Sequence, residues 1–484
     1  MLQKYEPVIG LEIHAQMKTK TKAFCRCSTE FNAPSNSNVC PVCLGHPGVL
    51  PVLNEELVNF ILKMGLATNC KIKERSIFAR KNYFYPDLSK GYQITQFETP
   101  ICYGGYLDIE LKDDTKRKIG ITRIHMEEDA GKSIHDFSDD ESLIDFNRCG
   151  VPLIEIVSEP DIRTIEEATT YLNKVKQLLV YLEINDGNME EGSLRCDANI
   201  SIRKKGEEKF GTRTEIKNLN SFRNVADALE AEFNRQYEVI ESGDKVYYTT
   251  MTYDATLKKT SPLRSKEEAH DYRYFPEPDL VYVEVNENKL ESIKNELPEL
   301  PEEKKLRFKK DYLLPDYDIN ILVQDKELSN FYEQVTSNLA TKNEKTFKTS
   351  SNIILSEVLR VLNDEKIDLK NLKLKPVNIS ELIGFVSRNE INNNTAKDVF
   401  NEMFTTGKNA SEIIKEKNLI QVSDDNLIIE IINKIILENK SEADRYKSGE
   451  SKLKGVLVGK IMKESKGKAN PQKVNELLDK LIEN

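Results

Sequence analysis

Residues 121–161 read ITRIHMEEDAGKSIHDFSDDESLIDFNRCGVPLIEIVSEPD, and this stretch decides the fold. Its first eight residues alternate. In an extended strand Arg123, His125 and Glu127 point one way and Thr122, Ile124 and Met126 the other, giving one polar and one largely apolar face. A second apolar run, Leu153 to Val157, carries a single acid, Glu155. A buried carboxylate is unfavourable unless a cation or a hydrogen-bond donor meets it, so Glu155 marks a candidate site.

The same alternation recurs on both sides. VIGLEIHAQ, residues 8–16, sets Gly10, Glu12, His14 and Gln16 against Ile9, Leu11, Ile13 and Ala15. EEGSLRCDANISIR, residues 190–203, sets Ser193, Arg195, Asp197, Asn199, Ser201 and Arg203 against Leu194, Cys196, Ala198, Ile200 and Ile202. A fourth polar-faced segment holds Arg213, Glu215 and Lys217 in register. It runs through Asn218, Leu219 and Asn220 to Ser221, a good N-cap for a helix whose free N–H groups suit a phosphate. Helical spacing at Leu57, Phe60, Ile61 and Met64, at Ala168 to Leu182, and at Val225, Leu229 and Phe233 predicts amphipathic helices to cover the apolar face. Four strands would then display Glu12, His14, His125, Glu127, Arg195, Asp197, Asn199, Arg203, Glu215 and Lys217 together, with Glu155 nearby. Acids of this kind bind Mg²⁺ and the cations neutralise phosphate oxygens, the equipment of nucleotide-dependent phosphoryl transfer. Periodicity alone leaves open a solvated antiparallel sheet with paired surface charges.

Cys25-x-Cys27 followed by Cys40-Pro-Val-Cys43 is a pair of close thiol pairs with the spacing of a structural zinc site. Four thiolates leave no open coordination position, so such a metal would serve stability. Cys70, Cys102, Cys149 and Cys196 are scattered and read as small buried residues. FARKNYFYPDLSKGYQITQF, residues 78–97, interleaves Arg80, Lys81 and Lys90 with Tyr83, Tyr85 and Tyr92, a pattern equally suited to nucleotide binding and to an edge hairpin. Asp129-Ala-Gly-Lys-Ser133 ends like a phosphate-binding loop, but Met126 stands where the earlier glycine is required, which rejects that motif. DYRYFPEPDL, residues 271–280, sets Arg273 among Tyr272, Tyr274 and Phe275 before two prolines and reads as an ordered loop near the sheet.

With 484 residues, 80 Asp and Glu against 70 Lys and Arg, and a net charge of −10, the chain has no global basic field to attract nucleic acid. Any such contact must be local. No apolar run is long enough to span a bilayer and the first residues lack a signal-peptide core, so a cytoplasmic protein is expected. The proline pair at LPELPEEKK, residues 297–305, and a second polar break, TTGKNAS from Thr405, predict an α+β chain in three parts. These are an antiparallel-sheet domain with flanking helices (1–293), an all-α domain (294–404) and an all-α tail (405–484). Between Lys447 and Lys473 eight lysines face only Glu450 and Glu464. Lys454, Lys460, Lys463, Lys466 and Lys468 are therefore candidate RNA contacts, against the plainer reading of a solvated helix face.

VIGLEIHAQ, FARKNYFYPDL, GYQITQF, HMEEDAGKS, PLIEIVSEPD, EGSLRCDANISIR, EIKNLNSF and DYRYFPEPD, with GKIMKESKGKANPQ near the end, closely resemble the B subunit of the heterotrimeric aspartyl/glutamyl-tRNA(Asn/Gln) amidotransferases. The likeness runs nearly end to end and in order. It implies an antiparallel-sheet cradle, a helical domain and a tRNA-binding helical tail. It also implies ATP-dependent phosphorylation of the side-chain carboxylate of Glu-tRNA(Gln) or Asp-tRNA(Asn), then displacement of phosphate by ammonia. Ammonia would come from glutamine hydrolysed in a partner A subunit, with a small C subunit bracing the pair. On the matching positions the resemblance implies a Mg²⁺/ATP cluster of Glu12, His14, Glu127 and Glu155, with Glu128 and Asp197 beside it. Arg195, Arg203 and Lys217, with Asn218 and Asn220, would meet phosphate, and Lys81, Tyr83 and Glu127 would line the ammonia exit. The zinc cysteines do not occur in every member of that family. Two rivals are a tRNA-binding scaffold that has lost the chemistry and a stand-alone ATP-dependent ligase. The second is the weaker, since no amidase signature is present to generate ammonia.

Overall fold

The protein is described by a computed structural model over residues 4–134, 141–263, 272–420, 425–465 and 469–483. It forms two compact units, residues 1–300 and 301–484. In the first unit the elements run β1 (Tyr5–Gln16), α1 (Glu55–Ala67), β2 (Lys71–Ile72), β3 (Arg75–Ser76), β4 (Ala79–Asn82), β5 (Tyr92–Thr95), β6 (Cys102–Glu110) and β7 (Lys116–Glu128). There follow β8 (Lys132–Ile134), β9 (Leu143–Asp145), β10 (Pro152–Ser158), α2 (Ile165–Tyr181), β11 (Leu194–Lys204), β12 (Thr214–Leu219) and α3 (Phe222–Glu241). The unit closes with β13 (Thr250–Asp254), β14 (Lys259–Pro262), β15 (Phe275–Pro276), β16 (Val283–Glu284) and α4 (Glu287–Asn295).

Nine strands make one sheet in the order β14-β13-β12-β11-β1-β10-β7-β6-β2. The first expectation, an antiparallel sheet, holds for every neighbouring pair except β12 and β13, which are parallel. β10, the apolar run with the single acid, lies between β1 and β7. Its hydrophobic residues are thereby enclosed on both edges, as a central strand requires. Alternation in β7 holds from Arg123 to Glu127, but the register shifts opposite Val157 and Ser158. Thr122, read as pointing with Ile124 and Met126, is released by this bulge, stands exposed and donates to Glu159 Oε1 at 2.8 Å.

The apolar faces meet in one core. Ile9, Leu11, Ile13, Ile124, Ile154, Ile156, Cys196, Ala198 and Ile200 are buried there with Leu57, Ile61, Met64, Tyr171, Leu172, Val175, Val225 and Leu229 from the helices. α1 packs on β6 and β7, α2 on β6, and α3 on β11 and β12, as the helical spacing predicted. Asn54, Thr164 and Ser221 accept from the backbone N–H of Glu56, Glu167 and Asn224 at 3.0 Å, capping the three helices. With one face sealed by helices, the polar face is left to form the site. A smaller sheet, β15-β4-β5, comes from the aromatic and basic stretch 78–97 and residues 275–276, so the hairpin reading of that stretch holds.

The second unit is helical: α5 (Pro301–Tyr312), α6 (Asp316–Gln324), α7 (Lys326–Ser337), α8 (Glu344–Ile353) continuing through a π turn at Ile354–Val358 into α9 (Leu359–Glu365), then α10 (Pro376–Ser387), α11 (Asn393–Thr406) and α12 (Ala410–Glu416). α13 (Asp425–Glu438), α14 (Lys440–Lys447), α15 (Lys452–Glu464) and α16 (Pro471–Glu483) complete it. Ile428, Ile432, Leu457, Ile461, Val474 and Leu478 make a distinct core among these last helices.

Candidate functional site

Strand register assembles the site. His14 on β1 lies opposite Glu155 on β10 and Arg195 on β11, Glu155 lies opposite His125 on β7, and Glu12 lies opposite Asp197. Because side chains alternate, these residues and Glu127 all emerge on the face away from the helices. His14 Nε2 is 3.2 Å from Glu155 Oε2 and 3.7 Å from Glu127 Oε1. One donor atom from each of the three lies within 4.8 Å of the others. His125 Nε2 sits 3.5 Å from Glu155 Oε2, and Arg123 donates to its Oε1 at 3.3 Å. Thr95 Oγ1 donates to Glu127 Oε2 at 3.3 Å.

Three acids on a buried face repel one another, and the pKa shifts record how the site resolves this. Burial drives His14 toward the neutral form, but its hydrogen bond to Glu155 and the charges of Glu155 and Glu127 win and raise it to about 9. Burial also opposes charge on Glu155, yet its histidine neighbours and Lys81 hold that carboxyl well below its ordinary value. His125 is pushed down to about 4 by burial. Glu127 and Glu12 are raised, chiefly by burial and then by Glu155. Lys81 stays protonated against its burial because Glu127 and Glu155 face it.

This donor set fits a dication. Two carboxylate oxygens suit a hard ion such as Mg²⁺, and the His14 imidazole, once the ion displaces its proton, adds a less usual nitrogen. Among the described residues His125 Nδ1, Arg123 Nε and Arg195 Nε are buried without a hydrogen-bond partner. Such orphaned atoms are rare in folded proteins, and three of the seven among the described residues lie on the site face.

The remaining candidates divide. Glu12 accepts from Asn199 Nδ2 at 2.9 Å, and Lys217 Nζ lies 3.5 Å from Asp197 and 3.2 Å from Glu215, all on the same face. Arg195 donates to Asp129 Oδ2 at 2.9 Å. Tyr83 donates to Gln93 Oε1 at 3.1 Å, and Lys81 Nζ lies 5.0 Å from the centre of the Tyr272 ring. Glu128 is not brought to the cluster: one residue beyond Glu127 it turns to the other side, pairs with Lys90 Nζ and accepts from Ile94 N at 2.9 Å. There it lines a cavity of about 240 Å³ with Lys22, Cys43, His46 and Arg80. Arg203 is also apart. It stands eight residues along β11 from Arg195, roughly 26 Å at the strand rise, and binds Glu6 Oε1 at 2.7 Å. Asn220 is exposed just before the Ser221 cap, and the Asn218 side chain is outside the described part.

Two residues escaped the sequence reading. Asp129 gathers Arg195, Gln16 (2.9 Å) and Arg148 (3.7 Å) around a carboxylate that is 4% exposed. Thr95 is conspicuous only once β5 is laid against Glu127. The signal for Asp129 lies in the run Glu127-Glu128-Asp129, since consecutive acids at the end of a strand turn to different sides and each needs its own partners.

The four cysteines do converge: their Sγ atoms all lie within 4.8 Å of one another, and Cys40 and Cys43 Sγ are 3.9 Å apart. A tetrahedron with metal–sulfur bonds of about 2.3 Å has edges of about 3.8 Å, so the set fits a metal ion. Lys22, wholly buried, places Nζ 3.7 Å from Cys43 Sγ. In the tail, Lys454 pairs with Asp479 at 2.6 Å and Lys460 with Glu442 at 3.1 Å, whereas Lys463 is exposed. Lys466 and Lys468 lie outside the described residues. Among the described residues no helix is long and apolar enough to cross a membrane.

Comparison with known proteins adds two family matches and many full-length relatives. A family described as the GatB/GatE catalytic domain matches residues 7–291, and one described as the GatB domain matches residues 331–482. The chain is 55% identical to a protein of Thermodesulfovibrio yellowstonii and 50% identical to one of Caldicellulosiruptor bescii, over 99% of each chain. It is 48% identical to one of Persephonella marina, over 99% of this chain and the whole of the other. All three relatives are named as the B subunit of an aspartyl/glutamyl-tRNA(Asn/Gln) amidotransferase.

Proposed function

This chain belongs to the family of aspartyl/glutamyl-tRNA(Asn/Gln) amidotransferase B subunits, and from that premise we propose that it activates and amidates the side-chain carboxylate of a misacylated tRNA. It is the ligase subunit of a tRNA-dependent amidotransferase that uses glutamine as amido donor, and it works with partner subunits that supply ammonia. The observation that supports this reading best is the His14, Glu127 and Glu155 cluster with Lys81 beside it, on a face that also presents Arg195 and Lys217.

A free carboxylate does not yield to ammonia because oxide is a very poor leaving group. The substrate's carboxylate oxygen therefore attacks the γ-phosphorus of ATP, the bond to the β-phosphate oxygen breaks, and ADP departs. Ammonia then attacks the carbonyl carbon and phosphate leaves. Arg195 and Lys217 take up charge on the transferred phosphoryl group. A Mg²⁺ ion held by Glu127, Glu155 and His14, with Glu12 adjacent, would neutralise nucleotide oxygens when bound. Lys81, Tyr83 and Glu127 guide neutral ammonia by hydrogen bonds. Cys25, Cys27, Cys40 and Cys43 hold a structural zinc, and the lysines of α15 present the tail to the tRNA backbone. A scaffold without chemistry is not favoured, since a face relieved of its task has no reason to keep a repulsive acid pair buried.

The test is co-expression with the partner subunits, then assay of Glu-tRNA(Gln) and Asp-tRNA(Asn) in parallel for ATP-dependent amidation. Glutamine- and ATP-dependent formation of Gln-tRNA or Asn-tRNA is expected. A complex that binds both tRNAs yet makes neither product, and no ADP, overturns the proposal.

A further inference from the structure

Beside the acid cluster stand three aromatic rings, Phe97, Tyr272 and Tyr274, that the reaction above does not use. β5 ends at Thr95, whose hydroxyl contacts Glu127 at 3.3 Å. Phe97, two residues on, lies at most about 7 Å of chain away. The residue is 49% exposed, and its ring lies flat on Tyr274, with centroids 4.0 Å apart and planes inclined by 2°. Tyr272 meets Tyr274 edge-on at 6.0 Å and Tyr83 at 5.9 Å, so the rings continue to Lys81, whose Nζ faces Tyr272. The wall is built rather than draped. Phe275 pairs with Arg80 across β15 and β4, and Arg80 grips Glu277 through two bonds of 2.7 and 2.9 Å. Tyr274 also feels Lys81, Glu155 and Glu127, after burial, in its raised pKa.

A half-exposed phenylalanine beside so polar a site needs an occupant, and the reaction names one. The reacting carboxylate is joined by a single amino-acid residue to the last ribose of the RNA, so the terminal base must rest within that short span of the cluster. An unpaired base offers a flat π face, and parallel aromatic rings are what such a face stacks on.

Resting on the functional reading above, we infer that Phe97 and Tyr274, buttressed by Tyr272, form the stacking platform for the unpaired 3′-terminal nucleobase of the aminoacylated RNA. ATP supplies the other purine in the reaction and is separated from it by the test. The assembled amidotransferase is assayed with Phe97→Ala. The probe is a non-hydrolysable 3′-glutamylamido-adenosine, compared with the same ribose lacking its base. Loss of stacking is expected to weaken inhibition by the adenosine probe ~5- to 150-fold in Phe97→Ala. The baseless probe and the KM for ATP should change less than twofold. A KM increase for ATP in place of the probe effect overturns the inference. Equal inhibition of the wild-type complex by the two probes does so too, and that comparison stands even if a variant fails to fold. Wild-type turnover of Glu-tRNA in the same assay reports on the functional reading separately.

Discussion

Asp129→Asn removes a charge while preserving shape, and its effect follows from the donors around the carboxylate. Oδ2 accepts from Arg195 and Gln16, each at 2.9 Å, with Arg148 Nε at 3.7 Å, while Oδ1 accepts from Ala130 N at 3.0 Å. An amide has one acceptor oxygen, so either the two side-chain donors or the backbone N–H must face an NH₂ group. One or two bonds to a charged group are lost, at ~1.5–3 kcal/mol each, and a buried guanidinium loses its counter-charge. The sum is about 3 kcal/mol, which for a unit of this size lowers Tm by on the order of 5–10 °C. Burial works against ionisation of Asp129, but Arg195 and Arg148 outweigh it and hold the carboxyl below its ordinary value of 3.8. A depressed carboxyl contributes stability above its unfolded pKa and loses it as pH falls through the folded one. The gap between wild type and variant should therefore be constant from pH 5 to pH 8 and narrow only in stronger acid. Calorimetry at several pH values measures this, with kcat in the assembled complex expected to fall about tenfold as Arg195 loses its anchor. A Tm within 1 °C of wild type at pH 7, or a gap that widens toward acid, refutes the reasoning.

Other perturbations separate structure from chemistry. Glu232→Gln disrupts a buried carboxylate that accepts from Thr214, Arg235 and Thr260, far along α3 from the cluster, so melting should drop by about 2–4 kcal/mol of stability with kcat per folded molecule unchanged. His14 is raised from 6.5 to about 9; in chelator-treated protein its contribution, about 3 kcal/mol, should be complete below pH 6.5 and be lost as pH rises through 9, and His14→Asn should flatten that fall in Tm. Cys43→Ser should release one metal ion per chain, read by elemental analysis, and lower Tm while the folded fraction keeps its kcat. Deletion from Thr405 should weaken tRNA binding in a filter assay and leave glutamine hydrolysis by the complex intact.

The sheet was legible because its code is the simplest one, a period of two with acids and cations on one side and branched aliphatics on the other. Glu12, His14, His125 and Glu127 could be placed on one face from spacing alone, and Glu155 betrayed itself by standing in a hydrophobic run. Strand order was not legible, since β10 reaches its place between β1 and β7 through pairings remote in sequence. Glu128 and Arg203 show two distinct limits. Adjacency in sequence to Glu127 placed Glu128 on the opposite side of a strand, and sharing a face with Arg195 did not bring Arg203 near it, because a strand carries same-face residues steadily apart. Asp129 was hidden for the converse reason: its partners Gln16, Arg148 and Arg195 come from three separate segments.

The central claim is that the acids of the sheet face activate a carboxylate with ATP, and it is tested most directly by single-turnover transfer of γ-³²P from ATP to Glu-tRNA in the assembled complex without glutamine. With Glu127→Gln, whose carboxylate lies 3.7 Å from His14, labelled acyl phosphate should form roughly 10²-fold more slowly or not at all, while tRNA affinity is retained. Labelling at the wild-type rate would contradict the account.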